Sequence, residues 1–271
     1  MAKNQKKVTT TVTTTVTEEF IPTNEKTQIV CIADRSGSMA SIIDDSIGGF
    51  NSFVKEQKKL KDEATLTLAL FDDKYDLLYD DVDIQKVQEI TKETWMPRGM
   101  TALYDAIGKT ITTVRANHTK LGHERPAKVL CVIITDGQEN ASIEYKDREK
   151  IKKLIKDCEE DNWNFMYLAA NQDAFAVGTG FGVSAGNTYT YGATTQGVFN
   201  MSSTLTASAV SYRSMNSTDK DFKKKSKSLI DDDKDAPEDN LGGSITTNGT
   251  GNVVVDGNTI TTTGTCYNSS K

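Results

Sequence analysis

The chain has 271 residues, 26% of them charged, and a net charge of −6. That size holds one sizeable domain with a buried core, plus appendages. The mildly acidic balance leaves no nucleic-acid footprint, and no apolar run approaches the roughly 20 residues that cross a bilayer. The opening M-A-K-N-Q-K-K lacks the apolar core of a secretory signal. Cys31, Cys131, Cys158 and Cys266 are scattered without metal-ligand spacing. The expected setting is therefore reducing and cytoplasmic, with no membrane partner.

Residues 8–17 read V-T-T-T-V-T-T-T-V-T, which places the valines on one face of a strand. They form an arm, 1–24, ahead of the main domain. Residues 29–33 are a short apolar, β-branched run, read as a buried strand that stops at Asp34. Ser36 and Ser38 follow, with Gly37 between them to permit a tight turn. Three oxygen-bearing side chains at alternating positions suit a hard divalent cation such as Mg²⁺. Capping of the next helix by Asp34 or Ser38 accounts for the same residues equally well.

The stripe Ile43, Ile47, Phe50, Val54 predicts a helix. Residues 65–71 alternate as a strand, Asp72-Asp73 turn, and residues 75–79 return as a short antiparallel edge. Asp80, Asp81 and Asp83 suit its solvated end. The loop Pro97-Arg98-Gly99-Met100-Thr101 leads into a helix striped by Leu103, Ile107, Ile111 and Val114. Thr101 reads either as its N-cap or as a ligand. His118 and His123 read as solvated residues beyond that helix. Residues 128–135 are the most apolar strand and end at Asp136-Gly137, as a central parallel strand would.

A helix striped by Ile151, Leu154, Ile155 and Cys158 comes next, then a strand at 165–170, a short helix at 174–181, a strand at 187–191 and a helix ending near Tyr212. The domain is bounded at 25–215. A basic block at 220–227 and an acidic one at 231–239 read as a solvated linker, 216–243. In the tail, 244–271, residues 253–261 read as a β-hairpin. Arm and tail share a composition that would let them pair, or add to the sheet edge of a partner or another copy.

This order of elements is an α/β pattern: a mostly parallel sheet, helices on both faces, and one short antiparallel edge. Sites in such sheets lie outside the carboxyl ends of the strands, where the winding reverses. If the strands ending at Asp34 and Asp136 are neighbours, both aspartates and the Ser36/Ser38 turn meet there. Thr101 can reach the same point.

These residues resemble the von Willebrand factor A (vWA) family and its metal-ion-dependent adhesion site. The family motif is D-x-S-x-S on one loop, a Thr on a second and an Asp on a third. It is matched by Asp34-Arg35-Ser36-Gly37-Ser38, by Thr101 in G-M-T-A-L-Y-D-A-I, and by Asp136 in I-I-T-D-G. The match spans roughly residues 27–213, and A-A-N-Q-D-A-F-A-V-G-T-G-F-G-V is similar to vWA chains of bacteria and tailed phages. Met100 departs from it, standing where many members have Gly.

The resemblance implies a three-layer Rossmann-like fold and a bound Mg²⁺, with Mn²⁺ or Ca²⁺ as alternatives. Ser36 and Ser38 would coordinate directly, Thr101 directly or through water, and Asp34 and Asp136 through waters or hydrogen bonds. An Asp or Glu of a protein partner would complete the octahedron. In some members, ligand exchange is coupled to movement of the last helix.

The leading expectation is a non-enzymatic, metal-dependent protein-binding module. The alternative is a structural component of a phage virion or other assembly, built through the domain and its β-rich ends. Metallohydrolysis is disfavoured by the absence of a histidine in the expected site and of a P-loop. A fold-stabilising metal alone is disfavoured by the open, hydroxyl-rich ligand set.

Overall fold

The computed structural model describes residues 22, 24–230, 252–256 and 259–263. Its elements in chain order are β1 (Thr27–Asp34), α1 (Ile43–Lys58), β2 (Ala64–Phe71), β3 (Tyr75–Asp83), α2 (Leu103–Leu121), β4 (Lys128–Thr135), α3 (Arg148–Glu159), β5 (Trp163–Ala170), α4 (Ala174–Phe181), β6 (Thr188–Tyr191), α5 (Thr195–Ser214), α6 (Phe222–Lys225), β7 (Asn252–Asp256) and β8 (Thr259–Thr263). Six strands form one sheet in the order β3-β2-β1-β4-β5-β6. Only β3 is antiparallel. This is the α/β architecture expected from the order of elements, and it is vWA-like.

Every residue of β1, β2, β4 and β5 is buried, which explains their near-continuous apolar runs. Successive side chains still point to opposite faces. Ile29, Cys31 and Ala33 pack with α1 and α5 in one core, while Val30 and Ile32 pack with α2, α3 and α4 in the other. The edge strand β3 alternates half-buried and exposed positions. It runs on through the acidic residues to Asp83 instead of stopping at residue 79. Asp81, at positive φ, is held there: its carboxylate accepts from Thr65 Oγ1 at 2.5 Å and its N–H donates to Thr67 Oγ1 at 3.0 Å.

Two expectations are corrected. His118 does not lie in a solvated loop. α2 continues to Leu121, and the His118 ring is buried with Nε2 2.6 Å from Gln28 Oε1. Nor is the segment after residue 215 solvated throughout. Residues 216–230 fold back onto the domain, where Phe222, Leu229 and Ile230 are buried and Phe222 packs on Tyr212. Apolar residues spaced among the lysines anchor this segment, and its lysines stay outward.

The end of α5 is held firmly. Lys128, buried at the start of β4, donates Nζ to the carbonyls of Arg213 and Met215. The Arg213 guanidinium is buried against Asp62 and Gln57. The 8–17 arm and the acidic block at 231–239 lie outside the described residues. So does any pairing of the arm with the tail. β7 and β8 pair with each other, antiparallel, as the hairpin pattern predicts.

Candidate metal centre

From β1 the chain winds to β2 on one side, and from β4 to β5 on the other. The winding therefore reverses between β1 and β4, which are hydrogen-bonded neighbours. A crevice opens at their carboxyl ends. Asp34 is the last residue of β1 and Asp136 follows the last residue of β4.

Asp34 is fully buried, and both of its oxygens are used. Oδ1 accepts the Ser36 N–H at 2.6 Å, closing the turn, and Oδ2 accepts the Thr135 hydroxyl at 2.6 Å. Ser38 donates its hydroxyl to Asp136 Oδ1 at 2.7 Å. With that proton committed, the Ser36 hydroxyl, 3.0 Å away, donates to Ser38. The helix that follows has Ile42 at its N-cap and no side-chain cap, so the capping reading fails for Asp34 and for Ser38.

Thr101 also is not an N-cap. α2 begins at Leu103 with Ala102 before it. The Thr101 backbone is tied instead to the loop after β4: its N–H donates to Asn140 Oδ1 at 2.9 Å, and its carbonyl accepts from the N–H groups of Asn140 and Ala141. Its hydroxyl converges with that of Ser38 over Gly137. A Cβ built on Gly137 would lie 2.8 Å from Thr101 Oγ1 and 3.6 Å from Ser38 Oγ. The structure thus brings Asp34, Ser36, Ser38, Thr101 and Asp136 to one crevice.

Several supporting residues escaped the sequence reading. Trp95, buried, donates Nε1 to the Asp34 carbonyl at 2.9 Å. Asp105 accepts the N–H groups of Ile143, Glu144 and Tyr145, pinning the loop after β4 to the first turn of α2. Gln172, on the loop after β5, donates Nε2 to the Gly137 carbonyl at 3.3 Å. Arg35, the second residue of the D-x-S-x-S run, is buried against Asp72 at 2.9 Å. Arg98 meets the same Asp72 oxygen at 2.7 Å. Asp72 lies in the expected turn and is also a buried anchor joining two loops. Gly99, at positive φ, passes so close to Asp73 that a Cβ there would sit 1.9 Å from the carboxylate.

Burial pushes the Asp34 carboxyl up to about 6, against the hydrogen bonds from Thr135 and Ser36 that lower it. Burial raises Asp136 as well. Asp72 goes the other way. Its burial is outweighed by hydrogen bonds from Arg98, the Lys74 N–H and Arg35.

The donor set fits a small hard cation. Among the described residues no group of three His, Cys, Asp or Glu side chains is placed to hold a metal ion. Oxygen is the only donor type here, and three of the five groups are neutral hydroxyls. Adjacent ligands of an octahedron with bonds of about 2.1 Å lie about 3.0 Å apart. The Ser36–Ser38 and Ser38–Asp136 oxygen separations of 3.0 and 2.7 Å are of that size. Ser36, Ser38 and Thr101 could hold the ion, with Asp136 beside it. Asp34, both oxygens spent, orients the turn.

No family model matches the chain, and no curated protein matches it. Solved structures similar to it include proximal thread matrix protein 1 of the mussel byssus with a zinc-occupied MIDAS motif, at 12% identity and a TM-score of 0.46, covering 69% of this chain and 46% of that one. The manganese-loaded TRAP protein of Plasmodium vivax is similar at 18% identity and a TM-score of 0.42, covering 54% and 57%. The PilB minor pilin of Streptococcus sanguinis is similar at 10% identity and a TM-score of 0.47, covering 68% and 61%. The present chain spans less than two thirds of each. In its own sheet order, its single antiparallel edge and the three loops that meet where the winding reverses, the chain is a vWA-fold protein.

Proposed function

We propose that the chain is a non-enzymatic protein-binding module whose crevice holds a divalent cation, Mg²⁺ or in its place Mn²⁺ or Ca²⁺. One observation carries this reading: five oxygen-bearing side chains from three loops converge with only two carboxylates among them. Bound there, the cation keeps enough positive charge to accept an Asp or Glu carboxylate from a partner protein. Ser36, Ser38 and Thr101 hold it through neutral oxygens. Asp34 fixes the Ser36 turn, and Asp136 orients the Ser38 hydroxyl.

Hydrolysis lacks its usual helpers. His118 is bound to Gln28 near the opposite end of β1, and Arg35 and Arg98 are engaged by Asp72 and Asp76. The virion alternative draws no support from the similar structures named above. Calorimetric titration of the full chain with MgCl₂ and MnCl₂ should show one site, lost in Ser36→Ala and Asp136→Ala. A partner captured in Mg²⁺ should be released by EDTA. Capture that persists in EDTA overturns the reading.

A further inference from the structure

Seven buried side-chain polar atoms lack a hydrogen-bond partner among the described residues. Those of Thr27, Ser46, Gln57 and His118 lie on β1, α1 and α2, outside the three loops of the crevice. The other three, Tyr167 Oη, Gln172 Oε1 and Tyr191 Oη, stand on β5, the loop after it and β6. Tyr167 and Gln172 face each other: burial raises the Tyr167 phenol, and the Gln172 side chain is among the groups that lower it. Tyr191, 4% exposed, has no such counterpart. A buried donor left without a partner is costly, so such groups are met by protein or by ordered water.

The register of the sheet shows what the Tyr191 hydroxyl can serve. Ala170 of β5 pairs with Tyr191 of β6, and Ala169 pairs with Thr135 of β4. One step beyond Thr135, Asp136 is level with Ala170. Asp136, Ala170 and Tyr191 therefore stand side by side across three strands. Ile134, Ala170 and Tyr191 belong to the core that packs with α1 and α5. Alternation carries Asp136, two residues beyond Ile134, onto the same face. At the usual strand spacing the Asp136 and Tyr191 backbones lie about 10 Å apart, and the side chain between them at that level is the methyl of Ala170. A phenol is long enough to lean across an alanine. The two carboxylates act on it: burial raises the Tyr191 phenol most, followed by the charges of Asp136 and Asp34. The Asn171 N–H, bonded to the Tyr191 carbonyl at 2.9 Å, fixes the backbone beneath the ring. The hydroxyl bonds neither carboxylate directly. A bridging water is nearly as good a partner as a direct contact.

We propose that Tyr191 is a positioning residue of the crevice: its hydroxyl donates to an ordered water that in turn donates to the Asp136 carboxylate, holding that carboxylate where it accepts from Ser38. This rests on the cation-binding reading above and assigns a role at the same site to a residue on β6, outside the three loops. Tyr191 touches neither the ion nor a partner. It acts through Asp136, and groups that orient a metal site in this way carry a large share of its affinity.

The test removes one oxygen. The full chain, Tyr191→Phe and Tyr189→Phe are titrated with MnCl₂ by calorimetry, and each is melted in EDTA. Tyr189 lies two residues back on the same strand, level with Leu168 and away from the crevice, so it controls for loss of a phenol from β6. Tyr191→Phe should weaken Mn²⁺ binding about tenfold, while its melting temperature in EDTA stays that of the parent chain. Tyr189→Phe should change neither. Unchanged Mn²⁺ affinity in Tyr191→Phe overturns the proposal and leaves the cation reading standing. So does a loss of affinity that Tyr189→Phe matches, or one accompanied by a lower melting temperature in EDTA, since either marks a general effect on the fold. Failure of the parent chain to bind Mn²⁺ overturns both.

Discussion

Thr135 gives its hydroxyl proton to Asp34 across the β1–β4 boundary, at 2.6 Å with both side chains buried. The pair joins the first loop of the crevice to the third, 101 residues away, and fixes which Asp34 oxygen remains for the Ser36 turn. Thr135→Val keeps the shape and removes the donor. It leaves a buried carboxylate oxygen unpaired, a loss of about 1–3 kcal/mol. On the cation-binding reading it also lowers Mn²⁺ affinity at least tenfold without touching the ion. Thr135→Ser, which restores the hydroxyl, should recover most of both in paired melting and titration experiments.

Gly137 offers a sharper separation of site from fold. Its backbone needs no positive φ, and the atoms nearest an added methyl belong to the Thr101 and Ser38 side chains. Gly137→Ala should therefore change stability by less than about 1 kcal/mol, while its Cβ displaces the Thr101 hydroxyl and weakens cation binding. Unchanged Mn²⁺ affinity in this variant would remove Thr101 from the ligand set.

The two arginines on Asp72 should differ in weight. Arg98 is 48% exposed on its side chain, so solvent screens its pairing and Arg98→Ala should cost little. Asp72→Ala leaves the buried Arg35 guanidinium with the exposed Asp76 as its one carboxylate partner and should cost clearly more than Arg98→Ala. Urea melts of the two variants give the comparison directly.

His118 makes a pH prediction. Burial, followed by the Arg125 charge, lowers its value from 6.5 to about 4, against a small opposing effect of Asp161. The unfolded chain therefore takes up this proton more readily than the folded one between those two values. The contribution of the neutral ring is complete above about pH 6.5 and is lost as the pH falls towards 4. It is worth up to ~3 kcal/mol at 1.36 kcal/mol per unit. Stability measured from pH 7 down to pH 4.5 should fall, and His118→Gln should flatten that slope.

The sheet and the five oxygen donors were legible because each leaves a local mark. Strands buried on both faces are continuous apolar runs, and the loop residues fall into a short motif with fixed types at fixed spacing. What holds those donors leaves no such mark. Thr135 is an unremarkable end of a strand until β1 is known to lie beside it. Asn140, Trp95 and Asp72 act through partners 39, 61 and 37 residues away. His118 was misread because polar neighbours surround it in sequence; only the packing of α2 on the sheet shows that its face of the helix turns inward. Phe222 was hidden inside a lysine run for the same reason.

The segment that returns after α5 has a mechanical consequence. Ser228 bridges to Gly186 in parallel, Ile230 donates its N–H to the Gly186 carbonyl at 3.1 Å, and Leu229 is bonded to Asn187 and Ser208. Traction applied to the polypeptide beyond Ile230 is borne first by this seam beside β6. Part of it passes to α5 through Ser208, and the rest is held at the start of β6, at the end of the sheet away from the crevice. A tether on that side can go taut while the grip at the opposite end of the sheet keeps its shape.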